Sequence, residues 1–172
     1  MRTLKAILPV MLMSFFIVSC AVISPQIRDE SIGTVHFKTL LQETDKFKGK
    51  IAILGGYILK TQNLADKSIV KVLQTPLGLG ENPKSKDMSE GRFIIMKKGF
   101  LDPEIYQKGR KITVAGTIAG KVIEKVNHFA QPYLEIESRE IYLWPKDEYY
   151  YPQPYYSPWY YPFPYYWRPY PF

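Results

Sequence analysis

Five segments between residues 51 and 144 are patterned as β-strands, and this run of short strands limits the fold more than any other feature of the chain. Residues 111–122 place Ile112, Val114, Gly116 and Ile118 on one face, because successive strand side chains point to opposite sides. Residues 133–144 alternate Leu134, Ile136 and Ser138, then change phase at Ile141 and Leu143. One extra residue in a strand inverts the faces beyond it, so that change predicts a bulge. Residues 92–96 hold the dense run Phe93-Ile94-Ile95-Met96, short enough for a buried strand, and residues 69–74 set Ile and Val among polar neighbours. Residues 51–60 begin with Ile51 and Ile53 around Ala52 and then carry Gly55-Gly56. Paired glycines inside an apolar run predict a bulge or a sharp bend.

Two helical features frame these strands. Thr34 is placed to cap a helix whose Phe37, Leu40, Leu41 and Thr44 recur at helical spacing, with Gly49 just past its end. Asp102-Pro103-Glu104-Ile105-Tyr106, between the third and fourth strands, combines a good cap with a proline at the first helical position and predicts one helical turn. The order β-β-β-α-β-β within about 100 residues matches the five-stranded OB-fold, while an SH3-like barrel or a small sandwich satisfies the same periodicity. The expected fold class is mainly β: a small OB-like barrel over residues 34–148, with a short N-terminal helix and a disordered aromatic tail. The connection 76–90, with Gly78, Gly80 and Pro83 among polar residues, is expected to be a mobile binding loop.

The start of the chain is an export signal. Arg2 and Lys5 precede residues 6–18, which carry no charge and include Pro9. That run has the length of a signal-peptide apolar region and is too short to span a bilayer, which takes about 20 residues. It ends in Ile17-Val18-Ser19-Cys20, which resembles the lipobox of bacterial lipoproteins. The pattern implies cleavage between Ser19 and Cys20, a diacylglyceryl group on the Cys20 sulfur and an acyl group on its freed amine. Burial of acyl chains contributes about 0.8 kcal/mol per CH₂, so three chains hold a protein on a membrane almost permanently. Ala21 rather than Asp follows Cys20, which in lipoproteins of this kind implies the outer membrane. Residues 1–19 are thus read as signal peptide and 20–33 as a tether. Losing Arg2 and Lys5 lowers the formal net charge of +7 by two. The remaining positive charge reads as an ordinary solvated surface, and an exported, anchored chain would not meet nucleic acid.

Composition matters most at the other end. Of 14 Tyr and 14 Pro in the chain, residues 149–172 hold ten and seven, with Arg168 their single charge. Recurrent proline removes backbone donors and forbids a stable helix, leaving extended, polyproline-like backbone. Tyr and Trp pair an apolar ring with a polar edge. Trp159, Tyr160, Tyr161, Tyr165, Tyr166 and Trp167 are therefore candidates for contact with lipid headgroups, lipopolysaccharide or peptidoglycan.

Reactive chemistry is sparse. One cysteine in 172 residues excludes an intrachain disulfide framework and a cysteine zinc site, and two histidines, His36 and His128, read as surface or capping residues. No nucleophile elbow or phosphate-binding glycine loop occurs, and Gly78-Leu79-Gly80 lacks the setting of a dinucleotide site. Glu43 with Asp45, and Glu135 with Glu137, read as solvated faces rather than paired catalytic acids. The reading is of a non-enzyme with no catalytic residues, metal or cofactor.

An ordered set of short motifs completes the picture: Leu54-Gly55-Gly56, Thr75-Pro76-Leu77, Gly91-Arg92-Phe93, Phe100-Leu101-Asp102-Pro103, Tyr106, Gly109-Arg110, Thr113-Val114-Ala115-Gly116 and Leu143-Trp144. With the lipobox, this set resembles the Slp family of outer-membrane lipoproteins, named for starvation inducibility. One departure is that Pro132 precedes Tyr133 where the family tends to carry Tyr before Pro. The resemblance implies a lipid-anchored envelope protein associated with starvation or stress, facing the periplasm, and it carries over no catalytic residues. The alternative is an OB-type module that binds an oligosaccharide or another periplasmic ligand, marked by exposed aromatics on the second and third strands.

Overall fold

The computed structural model describes residues 21–126 and 129–146. Three short helices, α1 (Pro25–Glu30), α2 (Phe37–Gln42) and α3 (Thr44–Phe47), precede five strands. These are β1 (Ile51–Asn63), β2 (Lys67–Thr75), β3 (Gly91–Lys98), β4 (Lys111–Val126) and β5 (Phe129–Leu143). All five expected strands are present, most of them longer than their apolar patterning alone marks. The antiparallel meander β1-β2-β3 continues through a parallel β3–β5 pair to β4, and β4 pairs back on β1. The ring of hydrogen bonds is therefore complete, and each of the five strands has a paired neighbour on both sides.

The inward faces follow the alternation in the sequence. Ala52, Leu54 and Ile58 of β1, Val70 and Val72 of β2, Phe93 and Ile95 of β3, Ile112, Val114 and Ile118 of β4, and Leu134 and Ile136 of β5 form one buried cluster. Each of these side chains larger than that of Ala52 contributes roughly 1.5–3 kcal/mol when fully buried. Phe37 and Leu40 of α2 cover one mouth of the ring, with the Phe37 and Phe93 rings 6.3 Å apart, and Leu101 belongs to the same core from the β3–β4 connection. The β5 phase change is a bulge: Ala115 pairs with Glu140 and Gly116 with Ser138, leaving Arg139 as the extra residue.

Gly55 and Gly56 have a different role from the bulge expected there. The β1–β2 register runs through both without interruption and shifts only between Ile58 and Lys60. The glycines instead allow close approach, since a Cβ on Gly56 would lie 1.9 Å from the Leu73 carbonyl oxygen.

Three local expectations, for the first helix, the tether and the 76–90 loop, are also revised, and the turn at Asp102 is kept. Thr34 does not cap α2; His36 holds that position, and the helical stripe is broken at Glu43 (φ −112°) into α2 and α3. The apolar stripe itself is kept, with Phe37, Leu40 and Thr44 buried and Leu41 half-buried. The Asp102 segment makes a single turn, in which Tyr106 N–H donates to Asp102 O (2.9 Å) and Glu104 N–H to Asp102 Oδ1 (2.9 Å). Residues 21–33, read as a tether, are built into the fold: Ile23 is buried, and Ile32 N–H donates to Ile51 O (2.9 Å). The 76–90 connection is likewise held, by two short 3-10 turns, a Leu77–Pro83 bridge and Lys84 N–H donating to Pro76 O (2.9 Å).

Candidate functional site

Glu81 connects the two ends of the described chain. It lies in the 76–90 loop at φ +65°, the only positive φ among described non-glycine residues. Left-handed backbone costs an ordinary residue about 1 kcal/mol and persists when its surroundings over-determine it. Here the carboxylate accepts from Ile23 N–H (2.9 Å) and from Arg28 Nε–H (3.0 Å), while Arg28 NH2 donates to Ile23 O (2.9 Å). The Glu81 carbonyl accepts from Thr113 Oγ1 (2.8 Å), which in turn accepts from Trp144 Nε1 (2.9 Å). Ser24 N–H adds a bond to Glu140 Oε2 (2.9 Å) on β5. Three consecutive interactions thus join Ile23, shortly after Cys20, to Trp144, shortly before the aromatic tail.

This network gives a direct test. Glu81→Ala should lower stability in urea by about 2 kcal/mol, because it removes charge-assisted bonds and leaves Ile23 N–H and Arg28 without their acceptor. Glu81→Gly should cost about 1 kcal/mol less, since it loses the same bonds but relieves the left-handed backbone. Equal losses for the two variants would show that the backbone at residue 81 stores no strain.

Beside Glu81, residues 28–37 and the 76–90 loop enclose a cleft of about 680 Å³. Ile32, Val35, Phe37, Leu54, Leu77 and Met88 supply its apolar walls. Thr75 at its base is fully buried, and its Oγ1 has no hydrogen-bond partner. An apolar cleft with one waiting polar group suits a small apolar ligand better than a sugar.

The residues singled out from sequence divide sharply. Ser19, Cys20, His128 and the tail residues Trp159, Tyr160, Tyr161, Tyr165, Tyr166 and Trp167 lie outside the described residues. His36 has an 88% exposed side chain, with Nδ1 4.0 Å from Glu90 Oε1. Glu43 pairs with Lys46 (2.9 Å), Asp45 and Glu137 are exposed, and Glu135 is half-buried. Among the described residues, no three His, Cys, Asp or Glu side chains cluster in a way that holds a metal. Phe93, the aromatic on the β2–β3 part of the sheet, points into the core and is fully buried.

The outer face of β2 and β3 is also occupied. Tyr133 is buried there, with Lys71 Nζ 5.7 Å from its ring and Arg92 NH1 donating to its hydroxyl (3.2 Å). Lys71 also pairs with Glu124 of the long β4–β5 hairpin, which clasps that arm to β2. No described helix is long and apolar enough to cross a membrane.

A family model for the outer membrane lipoprotein Slp family matches residues 17–171. The chain belongs to that family. Its relatives include the outer membrane protein Slp of Escherichia coli, 24% identical over 134 residues, which are 77% of this chain and 71% of that protein. An uncharacterized protein of Haemophilus influenzae is 33% identical over 96 residues, 55% of this chain and 52% of the relative. The uncharacterized lipoprotein YeaY of E. coli is 33% identical over 82 residues, 48% of this chain and 42% of the relative. The alignments thus span about half the length of the H. influenzae and YeaY proteins. Slp-family membership makes the chain an envelope lipoprotein by kinship, and none of the relatives' names records an enzymatic activity.

The Slp motifs read from sequence fall mainly on structural positions. Gly91-Arg92-Phe93 opens β3, and Phe100-Leu101-Asp102-Pro103 leads into the capped turn after it. The Glu81 network was not legible, because its partners are 53 and 58 residues away and no local pattern joins them.

Proposed function

We propose that this Slp-family chain is anchored in the outer membrane through acylated Cys20, faces the periplasm and acts as a non-enzymatic envelope component under starvation or stress. The observation that carries this reading is the position of the chain's single cysteine, at the end of a lipobox within the matched family region. The hydrogen-bond chain from Ile23 to Trp144 supports it, since it links described residues near the anchor site and near the aromatic tail. The globular part is an OB-type barrel in this reading. The strand order and the parallel β3–β5 pair support that assignment.

Intact mass of the protein extracted from membranes tests the anchor. The expected species begins at Cys20 and carries three acyl chains, whereas a Cys20→Ser chain carries none and loses lipid-dependent retention. An unmodified full-length wild-type chain would remove the lipoprotein reading.

A second reading is a ligand-binding OB-type module. The apolar cleft beside Glu81 favours it, although its ligand would sit away from the β2–β3 face on which such barrels usually bind.

A further inference from the structure

A second cleft, of about 600 Å³, lies where the chain leaves β5 towards the tail. Among the described residues, Lys86, Lys108, Arg110, Lys111 and Lys146 line it with one carboxylate, Asp87, and of these cations Lys111 is already engaged in an interaction of its own. Asp87 is already engaged, accepting from Ser85 Oγ (3.0 Å). Lys86 is held over the cleft by the ring of Tyr57, 4.8 Å from its Nζ. Arg110 carries the most informative contacts. Its NH1 donates to Ile105 O (2.8 Å) and its NH2 to Trp144 O (2.6 Å), and its buried Nε has no partner. Carbonyls orient a guanidinium without neutralising it, so the fixed positive charge of Arg110 meets no carboxylate in these bonds.

The position of this cleft narrows what could fill it. Trp144, which binds Arg110 through its carbonyl, is also the end of the hydrogen-bond chain running through Thr113 and Glu81 to Ile23. Pro145 and Lys146 of the departing chain form part of the cleft wall. Beside it, Tyr142 and Trp144 pack edge to face with centroids 4.9 Å apart, and Tyr142 is 36% exposed. An aromatic pair next to clustered cations is the combination that suits the headgroup layer of an anionic membrane.

We propose that this basic cleft binds the phosphate group of an anionic lipid headgroup, which orients the barrel on the membrane that holds its anchor. The orienting role rests on the anchored reading above; phosphate binding by the cleft does not. Two sources share the chemistry, a phospholipid headgroup and free phosphate.

The test uses the mature protein in a neutral detergent, titrated separately with dihexanoyl phosphatidylglycerol, dihexanoyl phosphatidylcholine and inorganic phosphate. NMR signals of Arg110 Nε–H and the Lys108 amide report on the cleft. Phosphatidylglycerol is expected to shift both signals, and phosphatidylcholine much less. A Lys86→Gln/Lys108→Gln variant, altered only at exposed side chains, should weaken that binding about thirtyfold, from roughly fivefold per cation. Shifts with phosphatidylglycerol alone assign the lipid as the source. Comparable shifts with inorganic phosphate keep the phosphate site but overturn its assignment to lipid. No shift with any anion, or equal affinity in the double variant, overturns the site itself. The intact-mass result stands apart: a cleft that binds phosphate in an unacylated chain would separate failure of the anchor from failure of the cleft.

Discussion

Gly56→Ala should destabilise the fold by more than about 3 kcal/mol. Its Cβ would lie 1.9 Å from the Leu73 carbonyl oxygen, 2.8 Å from the Leu73 carbonyl carbon and 3.0 Å from Val72 Cγ1. Two of these atoms are backbone, so no rotamer change relieves the clash. β1 and β2 would have to separate across the Gly56–Gln74 and Tyr57–Leu73 pairs, which opens the ring. Overpacking usually costs 1–3 kcal/mol, and a clash with paired backbone should exceed about 3 kcal/mol. That is a large share of a stability of about 5–15 kcal/mol. Gly116→Ala should behave alike, since its Cβ would lie 2.3 Å from Glu137 O. Gly33→Ala is the control: the backbone is left-handed (φ +68°) but no atom lies within 4 Å, so the cost should be only about 1 kcal/mol. Urea unfolding measures all three. A loss below about 1 kcal/mol for Gly56→Ala would contradict the close β1–β2 approach.

Phe93→Ala is expected to cost about 3–5 kcal/mol and lower the melting temperature by roughly 10–20 °C. The side chain is fully buried at the centre of the ring and tilts at 56° against Phe37, the residue through which α2 covers one mouth. Truncation removes contacts with the sheet and with the helix together, and a closed ring of strands has little freedom to collapse into the gap. Phe93→Leu, which keeps most of the volume, should cost less than about 1.5 kcal/mol. If the two variants melt together, Phe93 is not packed as the structure has it. A fall of the predicted size that also released α2, seen as faster amide exchange at Leu40, would show that the helix is held mainly through this ring pair.

Much of the fold was open to reading because its cause is local and repetitive. Ile112, Val114 and Ile118 lie inside for the same reason that they alternate, and the phase change at Ile141 follows directly from the extra residue Arg139. Phe37, Leu40 and Thr44 keep their buried stripe even though the helix breaks at Glu43, since burial tolerates a kink that keeps the same side inward. The glycines were harder. Gly55-Gly56 signals an unusual backbone need in any strand, but whether that need is a bulge or a close approach depends on where Leu73 and Leu77 come to lie.

The site was least accessible. Arg28, in a stretch too mixed to suggest any element, pairs with Glu81, in a loop whose glycines suggested mobility. Each is unremarkable within its own segment, and their meeting follows from β1 and β4 bringing residues 21–33, 76–90 and 144 to one side. The same holds for the basic cleft, whose lysines come from three separate stretches of chain.

Alternation of side chains, capping chemistry and the place of Cys20 are properties of neighbouring residues, so the linear order already contained the mainly β class, the five strands and the expected anchor. Ring closure, the burial of Ile23, the Glu81 network and the gathering of cations around Arg110 depend on contacts between distant segments. Those contacts exist only after the strands pair, because pairing brings together in space groups that chain connectivity keeps apart.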